Sequence, residues 1–413
     1  MRDNSLARYL RDSGHEVFML PMYLPRFLDE DPVSDDMPIF FGGINVYLQH
    51  KFSLFRNTPA WLDRFFDSKW LLRKAAARSD MTKGKDLGEI TLATFKGEDG
   101  PIAKEVRKVV DWFHENEIPD VVLLSTILLA GLGRVLRREL KIPVLGFLQG
   151  EDSFLDSLPD EYREQAWNLL SADVAKLDAC ITPSRYFGEE MSKRLDISQD
   201  KLHLLPNGIS LDGYSPADVP SAKPSIGFLA RLCPLKGLDV FIDAYLEIMK
   251  RGTHPELELR IAGGMTSADK PYVAEQKKKL ADAGLLEKAI FSPNVDRNEK
   301  LAFLRDLTAF SVPARCPEAF GLYVLEALAA GVPVVLPREG AFPELVETTK
   351  GGVLYEENEP IALANALDDL LSRPDEARAM GRRGHEVVSE RFSNEHLAKE
   401  FVENVLARIP ALT

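Results

Sequence analysis

Ser311-Val312-Pro313-Ala314-Arg315-Cys316-Pro317-Glu318-Ala319-Phe320-Gly321-Leu322-Tyr323-Val324-Leu325-Glu326-Ala327-Leu328-Ala329-Ala330-Gly331-Val332-Pro333 reads as a strand that ends at Val312, a loop, and a helix that opens near Gly321 and closes at Gly331. The same rhythm of short apolar run and helical periodicity extends in both directions. Upstream in the second half of the chain, strands are expected at 225–228, 257–262, 289–292 and 309–312, and downstream at 334–336. In the first half they are expected at 17–20, 121–124, 144–148, 179–182 and 202–205. Strands that alternate with helices imply parallel sheets covered by helices, so the expected fold class is α/β with two doubly wound Rossmann-like domains facing each other across a cleft.

Two such sets suit the length. A chain of 413 residues exceeds what one core usually holds, about 250–300 residues. The break is expected at Pro206-Asn207-Gly208, followed by a loop with prolines at 216, 220 and 224. The domains then run 1–207 and 208–392, and a last helix near 394–409, capped by Ser393 or Asn394, completes the first.

Composition excludes several classes. Hydrophobic residues at 45% and charged residues at 28% are globular values. A net charge of −13 argues against a nucleic-acid partner, which would need a basic footprint. Three separated cysteines (Cys180, Cys233, Cys316) form neither a disulfide framework nor a zinc cluster, and they suit the cytoplasm. No run reaches the ~20 apolar residues of a membrane span, and the polar start Met1-Arg2-Asp3-Asn4-Ser5 does not read as a signal peptide.

Residues 26–100 form an insertion without clear strand–helix rhythm. Within it, 51–85 carries nine basic and three acidic residues between Phe52, Phe55, Trp61, Phe65, Phe66 and Trp70. Such a segment either packs its aromatics on the first domain or rests at the inner face of a membrane with its cations toward anionic head groups.

Chemistry concentrates at three strand ends. In the quoted stretch, a helix start beside Gly321 offers free N–H groups to an anion. Glu318 and Glu326, two helical turns apart, would then lie at different depths of one pocket; the plain alternative is two solvated acids. Arg231 and Lys236 follow the strand at 225–228, and two cations five residues apart suit a diphosphate, or else a charged surface loop. Gln149-Gly150-Glu151-Asp152 follows the strand at 144–148 as a polar cluster expected at the cleft, with Asp152 alternatively a helix cap. Asp29-Glu30-Asp31 is an Asp-x-Asp without a preceding strand and reads as a solvated turn. His15 reads as a turn residue and Cys316 as incidental.

Taken together these segments resemble the retaining glycosyltransferases of family 4, which have the GT-B fold. The resemblance is carried by Pro206-Asn207-Gly208, Arg231 with Lys236-Gly237, Ala262-Gly263-Gly264, the glutamates Glu318 and Glu326, and the loop from Pro337-Arg338-Glu339-Gly340 to Pro343-Glu344. It implies that Arg231 and Lys236 hold the donor diphosphate and act, with Glu318 at the donor sugar, as the catalytic set. It further implies that Gly321 and Leu322 add backbone donors, that Glu326 binds the ribose, and that Phe320, Gly263 and Asn207 complete the donor site. Gln149 and Asp152 fall on the acceptor side. The resemblance implies a UDP- or GDP-sugar as substrate, no metal and no other cofactor, and a sugar or lipid-linked acceptor. Charge stabilisation at a departing phosphate by fixed cations agrees with this.

The chain departs from the family in two places. The first strand and glycine-rich loop of the N-terminal domain have no counterpart at the chain start, which is either truncated or served by Gly42-Gly43 of the insertion. Gln149 stands where the family usually carries a His, and it can hydrogen-bond a hydroxyl but carries no charge. A non-catalytic nucleotide-sugar-binding or scaffold protein, and an epimerase or phosphorylase on the same fold, stay open as alternatives.

Overall fold

The computed structural model describes residues 2–22, 37, 38, 40, 41, 84–217 and 223–409. The chain divides into two compact units, Met1–Leu205 with Ala398–Thr413, and Pro206–Leu397. The basic, aromatic segment at 51–85 lies outside the described residues save for its last two. So do Gly42-Gly43 and Asp29-Glu30-Asp31.

In the first unit, β1 (Val122–Leu124), β2 (Val144–Phe147), β3 (Ala179–Thr182) and β4 (Leu202–Leu204) form a parallel sheet in that order. Every residue of β2 and β3 is buried, as befits parallel strands with helices on both faces. Helices Ala130–Leu140, Asp160–Val174 and Arg185–Leu195 provide the crossovers. The expected strand at 17–20 carries no ladder among the described residues; this segment makes one bridge, Met22 to Phe40. An apolar run becomes a strand only where a neighbour takes up its backbone groups, and a run alone does not name that neighbour. The expected opening helix is present as Arg2–Asp12, with Ala7 and Leu10 buried.

The second unit contains β5 (Ser225–Leu229), β6 (Glu258–Gly263), β7 (Ala289–Pro293), β8 (Ala309–Phe310), β9 (Val334–Pro337) and β10 (Gly352–Tyr355), all parallel. Their spatial order is β10-β9-β8-β5-β6-β7. The chain therefore winds outward from β5 in one direction and from β8 in the other, and the reversal lies between these two central strands. Ligands of open α/β sheets bind beyond the carboxyl ends of the strands at such a reversal.

Phe228, Phe241, Tyr245, Phe310 and Phe342 are fully buried around this sheet, each contributing about 1.5–3 kcal/mol of apolar transfer energy. The Tyr245 hydroxyl donates to the Leu257 carbonyl at 3.1 Å, which satisfies its one polar group. β8 is shorter than its apolar run predicts, because after Phe310 the chain turns into the loop that carries Glu318. β10 is an addition to the expected strands. Its start at Gly351-Gly352 looks like a turn, yet a Cβ at Gly352 would come within 2.5 Å of the Val334 carbonyl oxygen, so glycine is what lets this edge strand close on β9.

The last expected helix forms as Asn394–Glu400, and then loosens into wider and tighter turns over 401–408. Ser393 is its cap, accepting from the His396 N–H at 3.2 Å. Ile209 donates to Phe392 and accepts from Asn394, at 3.0 and 3.1 Å, which ties the start of this helix to the second unit.

Candidate active site

Three loops of the second unit meet at the carboxyl ends of its central strands. The loop after β5 runs through Arg231 and a single turn at Pro234–Lys236 to Gly237, the start of helix Leu238–Arg251. The loop after β8 carries Arg315 and Glu318 to Gly321, which caps helix Leu322–Ala329 with a left-handed backbone at φ +94°. The loop after β9 passes Gly340 into helix Phe342–Thr349.

Glycine permits the approach of these loops to one another. At Gly237 (φ +72°) a Cβ would sit 1.8 Å from the Pro313 carbonyl oxygen, and at Gly340 (φ +58°) it would sit 2.5 Å from the Glu318 nitrogen. Gly263 is the last residue of β6 rather than part of the following loop, and a Cβ there would sit 1.8 Å from the Ala230 carbonyl oxygen.

The charges are paired within the site. The Lys236 ammonium donates to the Glu318 carboxylate, and these side chains are only 30% and 15% exposed. Neither is the freely solvated surface charge that a loop position suggests. Lys236 also lies 5.9 Å from the centre of the Tyr323 ring. Burial, and then the adjacent negative charge of Glu318, push the Tyr323 hydroxyl well above its ordinary pKa, so it stays a neutral donor.

Arg231 is 59% exposed and reaches the buried Asp269 at 3.4 Å. Burial alone would raise Asp269. The Thr266 hydroxyl and N–H, at 2.7 and 2.9 Å, together with Arg231, outweigh that and hold it below the usual carboxylate range.

Glu326 is 16% exposed, and its Oε1 accepts from Lys300 Nζ at 2.7 Å and from the Tyr214 hydroxyl at 3.3 Å. The helix thus places the two glutamates in separate surroundings, each beside its own lysine. Phe320 is buried and packs on Phe392 at 6.4 Å between ring centres. Asn207 is also buried, in the segment that opens this unit.

Several members of this arrangement carry no motif. Lys300, Tyr214 and Asp269 are single residues far apart in sequence, and only the fold brings them to Glu326 and Arg231, whereas Tyr323 lies between the two glutamates in the stretch that opens this helix. The Asp296–Glu299 pair that caps helix Arg297–Arg305 is a readable helix start, and it would have marked the helix that bears Lys300. Arg315, which ion-pairs with Asp239, is a further case. Asp239 also accepts from the Tyr272 hydroxyl at 2.8 Å, and this set ties the Glu318 loop to the helix behind Lys236.

In the first unit, the loop after β2 is organised by Glu151. This buried carboxylate accepts from the Thr126 hydroxyl and from the Gln149 N–H, both at 2.6 Å. Gly150, at φ +93°, begins the short helix Glu151–Asp156, so Asp152 is not the cap that its position suggests. Burial raises both Glu151 and Asp152 above the ordinary carboxylate range. The Gln149 side-chain nitrogen is enclosed without a partner among the described residues. No cluster of three His, Cys, Asp or Glu that could hold a metal occurs among the described residues.

Comparison with known proteins agrees with this geometry. Residues 216–387 match the model for glycosyl transferases group 1, and residues 90–212 match that for glycosyltransferase family 4. The chain is 27% identical over 378 residues to the GDP-mannose-dependent alpha-(1-6)-phosphatidylinositol monomannoside mannosyltransferase of Mycolicibacterium smegmatis, covering 85% of this chain and 91% of the relative. It is 28% identical over 246 residues to the D-inositol 3-phosphate glycosyltransferase of Xylanimonas cellulosilytica, where it spans 57% of the relative and 56% of itself is covered.

Among solved structures, sucrose-phosphate synthase from Thermosynechococcus elongatus superposes with a TM-score of 0.62 at 22% identity, over 73% of this chain and 77% of that one. Anabaena HepE in complex with UDP and glucose superposes with a TM-score of 0.63 at 20% identity, over 75% and 83%. These structures share the two-sheet α/β fold. With both halves of the chain matched and the paired glutamates and cations in one unit, the protein is a glycosyltransferase and belongs to family 4, with the GT-B fold.

Proposed function

We propose that this enzyme moves a sugar from a UDP- or GDP-linked donor to a hydroxyl of a sugar or lipid-linked acceptor, with retention at the anomeric carbon and without a metal ion. The observation that carries the reading is the placement of Arg231 and Lys236 on the loop after β5 and of the helix start at Gly321-Leu322 after β8, the two strands that flank the strand reversal of the second unit, with Glu318 against Lys236. In that first turn the Val324 N–H donates to the Gly321 carbonyl at 2.9 Å, which leaves the Leu322 and Tyr323 N–H groups as the ones a helix start can offer to an incoming anion. The names of the two relatives, which specify GDP-mannose, phosphatidylinositol mannoside and inositol phosphate, support a nucleotide sugar and an acceptor of this class.

In this mechanism the bond between the anomeric carbon and the β-phosphate oxygen breaks while the acceptor oxygen bonds to the same face of that carbon. The acceptor's proton passes to the departing phosphate oxygen. Arg231, Lys236 and the helix start stabilise the charge that grows on that phosphate, the task a divalent cation would otherwise perform. Lys236 must turn from Glu318 toward the diphosphate, which frees Glu318 to face the donor sugar. Glu326 takes the ribose, Phe320, Gly263 and Asn207 shape the donor site, and Gln149 and Asp152 bind acceptor hydroxyls.

Incubation with GDP- and UDP-sugars, followed by measurement of released nucleotide, tests the reading. Release from at least one donor, unchanged by EDTA, is expected. Activity that vanishes with chelator and returns with Mn²⁺ or Mg²⁺ would refute the metal-free site, and binding without release would turn the reading toward a nucleotide-sugar-binding protein. Co-sedimentation with anionic vesicles at low salt tests which of the two readings of 51–85 holds, membrane contact or packing on the first domain; among the described residues no helix is long and apolar enough to cross a membrane.

A further inference from the structure

We infer that Lys300 is the positioning residue that fixes Glu326 for the donor ribose, with Tyr214 as its second support. The inference rests on the proposed assignment of Glu326 to that ribose. It starts from the shape of the carboxylate's surroundings. Lys300 Nζ and the Tyr214 hydroxyl both donate to the same oxygen, Oε1. Among the described residues Oε2 takes no hydrogen bond, which leaves it to accept from a ligand. A carboxylate so divided is anchored on one oxygen and aimed with the other.

The anchor is itself rigid. Lys300 and Glu326 are 13% and 16% exposed, so the pair is screened far less than a surface ion pair. Helix Arg297–Arg305, which bears Lys300, is fixed at its start by a reciprocal cap, with Asp296 Oδ1 accepting from the Glu299 N–H and Glu299 Oε2 from the Asp296 N–H, both at 2.9 Å.

Along the same helix, Arg297, Leu301 and Arg305 recur every four residues and so share one face. They grip the turn that carries Tyr214. Arg297 donates to the Asp212 carbonyl at 2.8 Å, and Arg305 donates to the Gly213 carbonyl and the Ser215 hydroxyl at 3.3 and 3.2 Å. A Cβ at Gly213 would lie 2.7 Å from Leu301, so the turn is seated on the helix. Lys300 and Tyr214 therefore arrive at Glu326 as one preassembled support. The arrangement predicts that ribose recognition depends on a lysine that need not touch the ribose.

The test is calorimetric binding of GDP and UDP, each as the ribose, 2′-deoxy and 3′-deoxy form, to the wild type and to Lys300→Met, Lys300→Arg and Glu326→Gln. The wild type is expected to prefer a ribose form over its deoxy counterpart by about tenfold or more, the worth of a hydrogen bond to a charged group. Lys300→Met should weaken the ribose form by about tenfold and leave the deoxy form nearly unchanged, so that the preference disappears. Lys300→Arg should restore most of it, and kcat at saturating donor should hold within about twofold in both variants.

Equal weakening of ribose and deoxy forms by Lys300→Met would reduce Lys300 to a structural ion pair and overturn the inference. So would an unchanged preference. If Glu326→Gln abolishes the preference while Lys300→Met keeps it, the ribose reading stands and only the role of Lys300 fails. If Glu326→Gln itself keeps the preference, the assignment of Glu326 fails and the inference goes with it.

Discussion

The two sheets end in loops that treat charge in opposite ways. At the carboxyl ends of the second unit's strands, four carboxylates have a cation beside them: Glu318 with Lys236, Glu326 with Lys300, Asp269 with Arg231 and Asp239 with Arg315. Burial would raise Asp239 and Asp269, but hydrogen bonds and the paired arginines hold both below the ordinary range. At the end of β2 in the first unit, Glu151 is buried with a hydroxyl and an N–H as partners, and burial wins: Glu151 is raised. On the proposed assignment the first arrangement holds cations that a diphosphate can recruit, whereas the second surrounds its carboxylate with uncharged donors, a hydroxyl and an N–H.

The sharpest break to this comparison is Glu318→Gln. It should lower kcat by about 100-fold, in the range seen when a group that acts on developing charge is removed. It should also tighten binding of the free nucleoside diphosphate, because Lys236 no longer has to leave a carboxylate. Steady-state kinetics with calorimetry checks both signs, and a variant that loses rate and diphosphate affinity together would contradict the exchange.

Next in size is Lys236→Ala, expected to weaken donor binding by about 10–100-fold. It should also cost about 1–3 kcal/mol of stability, since Glu318 is then left unpaired at a mostly enclosed position. Arg231→Ala should weaken the donor with a smaller effect on folding, because Arg231 is 59% exposed. Denaturant titration of both variants separates the two, and equal stability losses would argue against the difference in burial.

Gly263→Ala should destabilise the second unit by about 1–3 kcal/mol or more, from a left-handed backbone and a clash with the Ala230 carbonyl. Thermal unfolding reads this directly, and a wild-type midpoint would mean that the end of β6 and the loop after β5 part freely.

The smallest effect concerns pH. Glu151 binds its proton more tightly in the folded state than in the unfolded chain, so its ionised form opposes folding at neutral pH, and that penalty fades as pH falls through the raised folded value. Asp239 and Asp269 have the opposite sign. Their contribution is present above the ordinary carboxylate pKa and is lost as pH falls through the lowered folded values. Glu151→Gln should therefore flatten the stability profile of the first unit near the acid side and leave that of the second unchanged. Unfolding followed from pH 3 to 7 checks this, and identical profiles for the wild type and Glu151→Gln would place Glu151 outside the balance.

Much of the alternation was legible in sequence because buried parallel strands are apolar at nearly every position. β3 and β5 are buried throughout and stand out as runs. β10 was hidden behind a glycine pair that resembles a turn, and 17–20 resembled a strand because an apolar run says nothing of its neighbour. Arg231, Lys236, Glu318 and Glu326 were legible because they fall at strand ends and helix starts. Their partners were not: Lys300, Tyr214 and Asp269 reach them only through the winding of the sheet. The pairing of Lys236 with Glu318 is not legible either, since sequence spacing places each on its own loop and gives no distance between them.

The glycines at 237 and 340 bring three loops into backbone contact, Gly263 sets the end of β6 against the first of them, and this has a bearing on how the enzyme can be altered. A loop held at such range has no slack, so an inserted residue would have to push a carbonyl or N–H of its neighbour aside. Grafting longer loops from other transferases onto these strand ends should abolish the fold of the site before it changes donor choice. Slack exists elsewhere in the same unit: nothing lies within 4 Å of a Cβ at Gly252 or Gly284, which close helices far along the chain from the three loops. Tags, linkers or fused domains belong at those turns, while donor preference is open to change only through side chains.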